Sequence, residues 1–168
     1  MLTSFVAGST GYTGQKVVSL LRLNRINTIA HIRPNSSEYE NLTAQFKSLG
    51  ATIDSTPWNS NAIEQTIADL KPNLIFCLLG TTKKRARIAA RKGLNPKEES
   101  YEKIDYGCTS MLVDAATMVQ PLPKLIYLAA KGVSSHALSS YMQTRWKTEE
   151  YIKQSQVPFI IARPCFIT

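Results

Sequence analysis

Six short apolar runs recur along the chain: Leu2 to Ala7, Thr28 to Ile32, Ala51 to Asp54, Asn73 to Gly80, Lys124 to Ala130 and Pro158 to Pro164. Most are continuous and rich in branched or aromatic residues, the pattern of strands buried on both faces of a parallel sheet. Between them the apolar period changes to that of a helix. Val17, Val18, Leu20 and Leu21 fall on one side; Leu42, Phe46 and Leu49 follow, with a stop at Gly50; Ile63, Ile67 and Leu70 repeat the spacing. Strand followed by helix, repeated, predicts βαβ units and an α/β doubly wound parallel sheet, a Rossmann-like three-layer sandwich with strand order 3-2-1-4-5-6. No internal repeat or linker divides the 168 residues, so residues 1–168 are expected to form one domain.

The first strand runs into "GSTGYTG", Gly8 to Gly14, and a helix opens directly after it. Glycine reaches backbone angles closed to other residues and lets main chain approach a ligand with no Cβ in the way. Such a turn can bring a diphosphate against the free amides at a helix start, whose dipole also favours negative charge. A strand-to-helix turn can need glycines for packing alone, but the strand before, the helix after and the βαβ order agree with a nucleotide grip. The spacing is Gly-x-x-Gly-x-x-Gly rather than Gly-x-Gly-x-x-Gly.

At the end of the second strand, an acidic residue would accept from a ribose 2′-hydroxyl, whereas an arginine would pair with a 2′-phosphate. The sequence there is "AHIRPNSS", with Arg33 in place and no carboxylate before Glu38. The charge argument favours NADP(H) over NAD(H), the alternative being an ordinary surface arginine.

The formal net charge of +8 and a pI near 9.5 favour anionic ligands or surfaces. Six cations, Lys83, Lys84, Arg85, Arg87, Arg91 and Lys92, lie in ten residues of the segment Thr81 to Lys103. That segment reads as an elaborated loop at the carboxyl edge of the sheet, where open α/β sheets bind ligands. A cation cluster can contact phosphates of nucleic acid or an anionic membrane surface, but no helix-turn-helix, zinc or RNA-stacking signature accompanies it, so a solvated face is preferred. Trp58, after the third strand, suits either an adenine ring or a core role. Cys77, Cys108 and Cys165 lack metal-ligand spacing, His31 and His136 are isolated, and neither a metal site nor a disulfide frame is expected. No basic leader and no apolar stretch of about 18 residues is present, which predicts a cytoplasmic location.

Taken together, "VAGSTGYTG", "HIRP", "IFCLLGTT", "YLAAKGVSS", "YMQTR" and "FIIARP" resemble the atypical short-chain dehydrogenase/reductases, close to the NmrA-like group and most of all to the Tat-interacting-protein relatives. The match spans essentially the whole chain, and "FCLLGTT" followed by a charged segment and a "KIDY" helix start is its most specific part. The resemblance implies a Rossmann fold with NADPH lying over the strand ends. Gly8, Ser9, Thr10, Gly11, Tyr12, Thr13, Gly14 and Arg33 would hold it on one side, and Leu79, Gly80 and Thr81 on the other. It also implies an oxidoreductase acting on a small carbonyl or alcohol, with Tyr141 giving or taking the proton and the residue four positions on, a lysine in catalytic members, assisting.

Here that residue is Arg145, and the strand-end serines of relatives are replaced by Ala129 and Ala130. Lys147 lies about 240° around the helix from Tyr141 and faces elsewhere. Ser134 and Ser135 follow in the loop. These departures open a second reading, a non-catalytic NADP(H)-binding redox sensor or an assembly protein with a regulatory partner. Relatives continue beyond the "RP" of the sixth strand, so the chain is expected to lack a C-terminal segment that shapes the substrate pocket. The sequence does not set the oligomeric state.

Overall fold

The computed structural model describes residues 2–165. Its strands are β1 (Thr3–Ala7), β2 (Asn27–His31), β3 (Thr52–Asp54), β4 (Leu74–Cys77), β5 (Lys124–Leu128) and β6 (Phe159–Ala162). They form one parallel sheet in the order β3-β2-β1-β4-β5-β6, as the alternating pattern predicts. Six α-helices connect them: α1 (Tyr12–Leu23), α2 (Tyr39–Ser48), α3 (Ser60–Leu70), α4 (Lys83–Arg91), α5 (Cys108–Thr117) and α6 (Ser140–Gln154).

Successive strand residues point to opposite faces, and the two cores sort accordingly. Phe5, Ala7, Ile75, Cys77, Leu125 and Tyr127 pack on one face against Ile63 and Ile67 of α3, Leu112 and Val113 of α5 and Ile152 of α6. Val6, Ala30 and Ile32 pack on the other against Val18 and Leu21 of α1 and Leu42 and Phe46 of α2. Leu20 and Leu49, grouped by period with the apolar faces of their helices, are exposed instead. Each lies at the margin of a stripe that the sheet covers only along its centre. α2 ends where expected, at Gly50 with φ of +78°.

The segment Thr81 to Lys103 departs from the loop reading. The Thr82 hydroxyl accepts from the Arg85 amide and starts α4, and Lys, Arg and Ala propagate it to Arg91. A 3₁₀ turn follows over Pro96–Glu99, and a wider π-helical turn, Glu102–Gly107, runs directly into α5. Charge density disguised the helix: only Ala89 of α4 is buried, so there was almost no apolar period to read. Among the described residues no helix is long and apolar enough to cross a membrane, and no cluster of His, Cys, Asp or Glu has the makings of a metal site. Cys77 and Cys108 are buried and Cys165 is exposed, all three as free thiols.

Candidate coenzyme crevice

Strand order reverses at β1, whose neighbours β2 and β4 lead the chain in opposite directions across the sheet. A crevice opens there at the carboxyl ends of the strands, the position where open α/β sheets place their ligands. Its inner part is a cavity of about 150 Å³ lined by Gly8, Thr10, Gly11, His31, Arg33, Trp58, Leu79, Gly80, Arg85 and neighbours. It continues past Arg33, Trp58, Ile104 and Cys108 into an outer groove of about 630 Å³, walled by Pro34, Pro57, Leu94, Glu99 and Met111.

The three glycines of the turn do different work. Gly8 has φ of +83°, and a Cβ there would stand 2.5 Å from the Leu78 carbonyl oxygen, so the close pass of β1 and β4 requires it. A Cβ on Gly14 would stand 2.1 Å from the Gly8 carbonyl oxygen, so helix-to-turn packing requires that one. Gly11 is different. Its φ is −75°, and a Cβ would find its nearest atom at 3.4 Å, an ordinary contact, so the fold itself does not ask for glycine there. Gly11 caps α1 with no side-chain bond, and the first intrahelical bond runs from the Gln15 amide to its carbonyl. The helix opens with no acidic residue in its first turn, leaving its dipole without an internal counter-charge.

The remaining residues expected at the coenzyme divide. Thr10, Arg33, Leu79 and Gly80 line the inner cavity with Gly8 and Gly11. Ser9 is fully buried, and its hydroxyl donates to the His31 carbonyl, tying the turn to β2. Tyr12 opens α1 and projects outward, its hydroxyl taken by Lys16, and Thr13 follows it in the helix. Thr81 is buried with its amide donating to Asp105 Oδ2 at 3.0 Å.

His31, read as an isolated histidine, is a buried wall of the cavity, its Nε2 2.9 Å from the Thr56 carbonyl and its ring edge-on to Trp58 at 4.9 Å. Burial holds its pKa below the usual value, against the opposing pull of Thr56 and Asp54, so the ring is neutral at pH 7. Trp58 lines the crevice while packing on the core.

At the other end, α6 carries Tyr141 and Arg145 one turn apart. The Tyr141 ring is half-buried, 5.1 Å from the Tyr101 ring, and lines neither cavity. The Arg145 guanidinium carbon lies 5.3 Å from that ring, so the two residues share a side as the spacing predicts. Yet the guanidinium itself is turned inward. Nη1 donates to the Tyr127 hydroxyl at 2.9 Å and the Leu128 carbonyl at 2.7 Å, and Nη2 donates to the Leu79 carbonyl at 3.2 Å. Nη2 is also 2.9 Å from Asp105 Oδ1, an ion pair shut from solvent but off the hydrogen-bond line, so Asp105 Oδ1 and Arg145 Nε have no hydrogen-bond partner. Burial pushes the Asp105 carboxyl up to about 6, against the pull of Arg145, the Thr81 amide and Arg85. Burial alone would lower the Arg145 pKa; Tyr127, Asp105 and Tyr141 together outweigh it, and the guanidinium stays charged.

Arg145 therefore clamps the loop after β4 and the carboxyl end of β5 to the π-helical turn. Lys147 points elsewhere, paired with Glu102 and set over the Tyr106 ring, and Ser134 and Ser135 are exposed. Two crevice residues, Glu99 and Arg85, and the buried Asp105 behind them are not legible as site residues in the sequence. Asp105 was hidden in a helix start, Glu99 in a charged segment, and Arg85 among five other cations. Only the folded positions of these residues distinguish them from surface charge.

No family model and no curated protein matches the chain. Solved structures do. The UDP-glucose 4-epimerase of Thermotoga maritima superposes with a TM-score of 0.71 at 17% identity, over 96% of this chain and 55% of its own. Pinoresinol-lariciresinol and phenylcoumaran benzylic ether reductases give 0.71 at 14%, over 97% and 49%. ChuY, the anaerobillin reductase of Escherichia coli O157:H7, gives 0.69 at 15%, over 96% and 72%. The likeness is one of fold. The chain spans about half the length of the epimerase and the ether reductases, and none of these identities carries a residue role from one protein to another.

Proposed function

We propose that the crevice binds a nicotinamide dinucleotide, NADP(H) in preference to NAD(H), and that residues 1–168 are the coenzyme domain of an oxidoreductase acting on a small carbonyl or alcohol. The observation that carries this reading is Gly11: it lines the cavity where the fold has room for a side chain, and what needs the missing Cβ is a ligand pressed against the start of α1. The diphosphate would lie over the Gly11 to Gly14 amides. The adenosine would follow the outer groove past Trp58, and its 2′-phosphate would meet Arg33. The solved structures of like fold include proteins described as reductases and a sugar-nucleotide epimerase, which supports nicotinamide chemistry.

When bound, the coenzyme supplies or accepts the hydride. The chain's own part would be to hold it, to exclude water with the buried Leu79 and Thr81 after β4, and to exchange a proton at the Tyr141 hydroxyl. Arg145 would act on that tyrosine through its charge, 5.3 Å from the ring, because both its terminal nitrogens donate to the protein. This observation favours a second reading: a coenzyme-binding sensor or assembly protein of low turnover, which reports the NADPH pool to a partner protein.

Calorimetric titration distinguishes the coenzymes. Arg33→Ala should weaken NADPH by about tenfold, the equivalent of one charge-assisted hydrogen bond, and NADH by less than about twofold; equal losses contradict the 2′-phosphate assignment. NADPH oxidation over a panel of carbonyls that vanishes in Tyr141→Phe supports the enzyme. Tight NADPH binding with no turnover supports the sensor.

A further inference from the structure

Arg33 is not alone at the place assigned to the 2′-phosphate. Arg85 of α4 reaches the same point from the opposite wall, and between the two guanidinium groups sits the carboxylate of Glu99. Arg33 Nη1 lies 3.4 Å from Glu99 Oε1, Arg85 Nε lies 3.2 Å from Oε2, and the Thr81 hydroxyl donates to Oε2 at 3.2 Å. Both arginines line the inner cavity and Glu99 lines the outer groove, so the trio stands at the junction of the two. A carboxylate between two guanidinium groups and a hydroxyl meets the donors that a phosphate monoester would meet.

The carboxylate's seat is also built to be left. Glu99 closes the 3₁₀ turn Pro96–Glu99, which buries none of its residues, and both arginines keep a third or more of their side-chain surface in solvent. Moving this turn opens little apolar surface, and partly exposed pairs of this kind hold weakly. Two cations face one internal anion, leaving a positive charge that a dianionic phosphate would neutralise and a single carboxylate does not.

We propose that Glu99 is a built-in competitor for the coenzyme's 2′-phosphate and that Arg85 is the second cation of that phosphate site. In the coenzyme-free chain the Glu99 carboxylate holds Arg33 and Arg85 in place; NADP(H) enters by displacing it, whereas NAD(H), with a 2′-hydroxyl, has no charge with which to do so. Glu99 thus sets how strongly the chain discriminates between the two coenzymes and lowers its affinity for the preferred one, since apparent affinity falls by the fraction of chains whose site is closed. The proposal rests on the dinucleotide reading above.

The test is calorimetric titration of the full chain, as wild type, Glu99→Gln and Arg85→Gln, with NADPH, NADH and adenosine 2′,5′-bisphosphate, each variant's thermal unfolding being recorded alongside. Glu99→Gln should bind NADPH and the bisphosphate about fivefold more tightly, by removal of the competing charge, and NADH within about twofold of wild type. Arg85→Gln should weaken NADPH and the bisphosphate by about fivefold and leave NADH unchanged. An unchanged or reduced NADPH affinity in Glu99→Gln overturns the proposal, and a selective loss of NADH there would make Glu99 an acceptor for the ribose hydroxyl instead. If wild type binds NADPH and only the variants misbehave, this inference fails alone; if no form binds any of the three nucleotides, the dinucleotide reading itself has failed and takes the inference with it.

Discussion

The two ends of the crevice differ in what their polar groups are left to do. At the glycine end, α1 begins without a capping side chain or an acidic first turn, and Gly11 omits a side chain that the fold would accept. At the tyrosine end, the cation expected to assist Tyr141 is consumed by four protein oxygens and shut from water. One end is prepared for something external, while the other is closed upon itself. The contrast teaches that a charge kept at the expected spacing can be spent on the protein's own oxygens. Arginine's fork of donors suits it to bridging several backbone carbonyls, which a lysine's single ammonium would do less well, and Ala129 is buried where a strand-end hydroxyl would have to stand.

The comparison breaks most visibly through the glycines that serve the fold. Gly14→Ala would place a Cβ 2.1 Å from the Gly8 carbonyl oxygen, backbone that cannot move aside, and should cost about 4 kcal/mol or prevent folding. Urea unfolding followed by circular dichroism checks this, and a loss below about 1 kcal/mol would mean that the turn is not packed as described. Arg145→Met should cost about 3 kcal/mol because it leaves the Asp105 carboxyl buried without its partner. In chains that remain folded it should leave NADPH affinity within about twofold. A large loss of affinity with intact stability would return Arg145 to the coenzyme.

A smaller effect sharpens the closed end. Burial raises the Asp105 carboxyl from 3.8 to about 6, so the folded chain holds this proton more tightly than the unfolded chain does. The unfolded chain then binds fewer protons between those values, and the group's contribution to stability falls as pH rises from about 4 to 6 and is level above. Wild type measured against Asp105→Asn by urea unfolding should lose about 1 to 2 kcal/mol across that window. A difference that rises with pH would place the carboxyl below its ordinary value, with Arg145 dominating burial.

These expectations show where the sequence was legible. The parallel sheet and its strand order follow from six apolar runs: β1 and β2, covered on both faces, leave the clearest mark, while the edge strands β3 and β6 are more exposed. The turn Gly8 to Gly14 was legible as a turn, but the division of labour among its glycines depends on how closely Leu78 and the Gly8 carbonyl approach, which no spacing encodes. The helix Lys83–Arg91 could not be told from a solvated loop, since its faces carry charge and bury one alanine. The direction of the Arg145 side chain was illegible for another reason. Its partners come from the loop after β4 (Leu79), the π-helical turn (Asp105) and the end of β5 (Tyr127 and Leu128), which only the assembled sheet edge brings together.

The account stands or falls on the absent side chain at Gly11. Titrating NADPH into wild type and into Gly11→Ala by calorimetry, with urea unfolding of both, tests it most directly. The account predicts that wild type binds, that Gly11→Ala keeps its stability within about 1 kcal/mol, and that its affinity for NADPH drops at least about tenfold because the new methyl stands where the diphosphate must lie. Equal binding by the two proteins, or none by wild type at millimolar coenzyme, would contradict it.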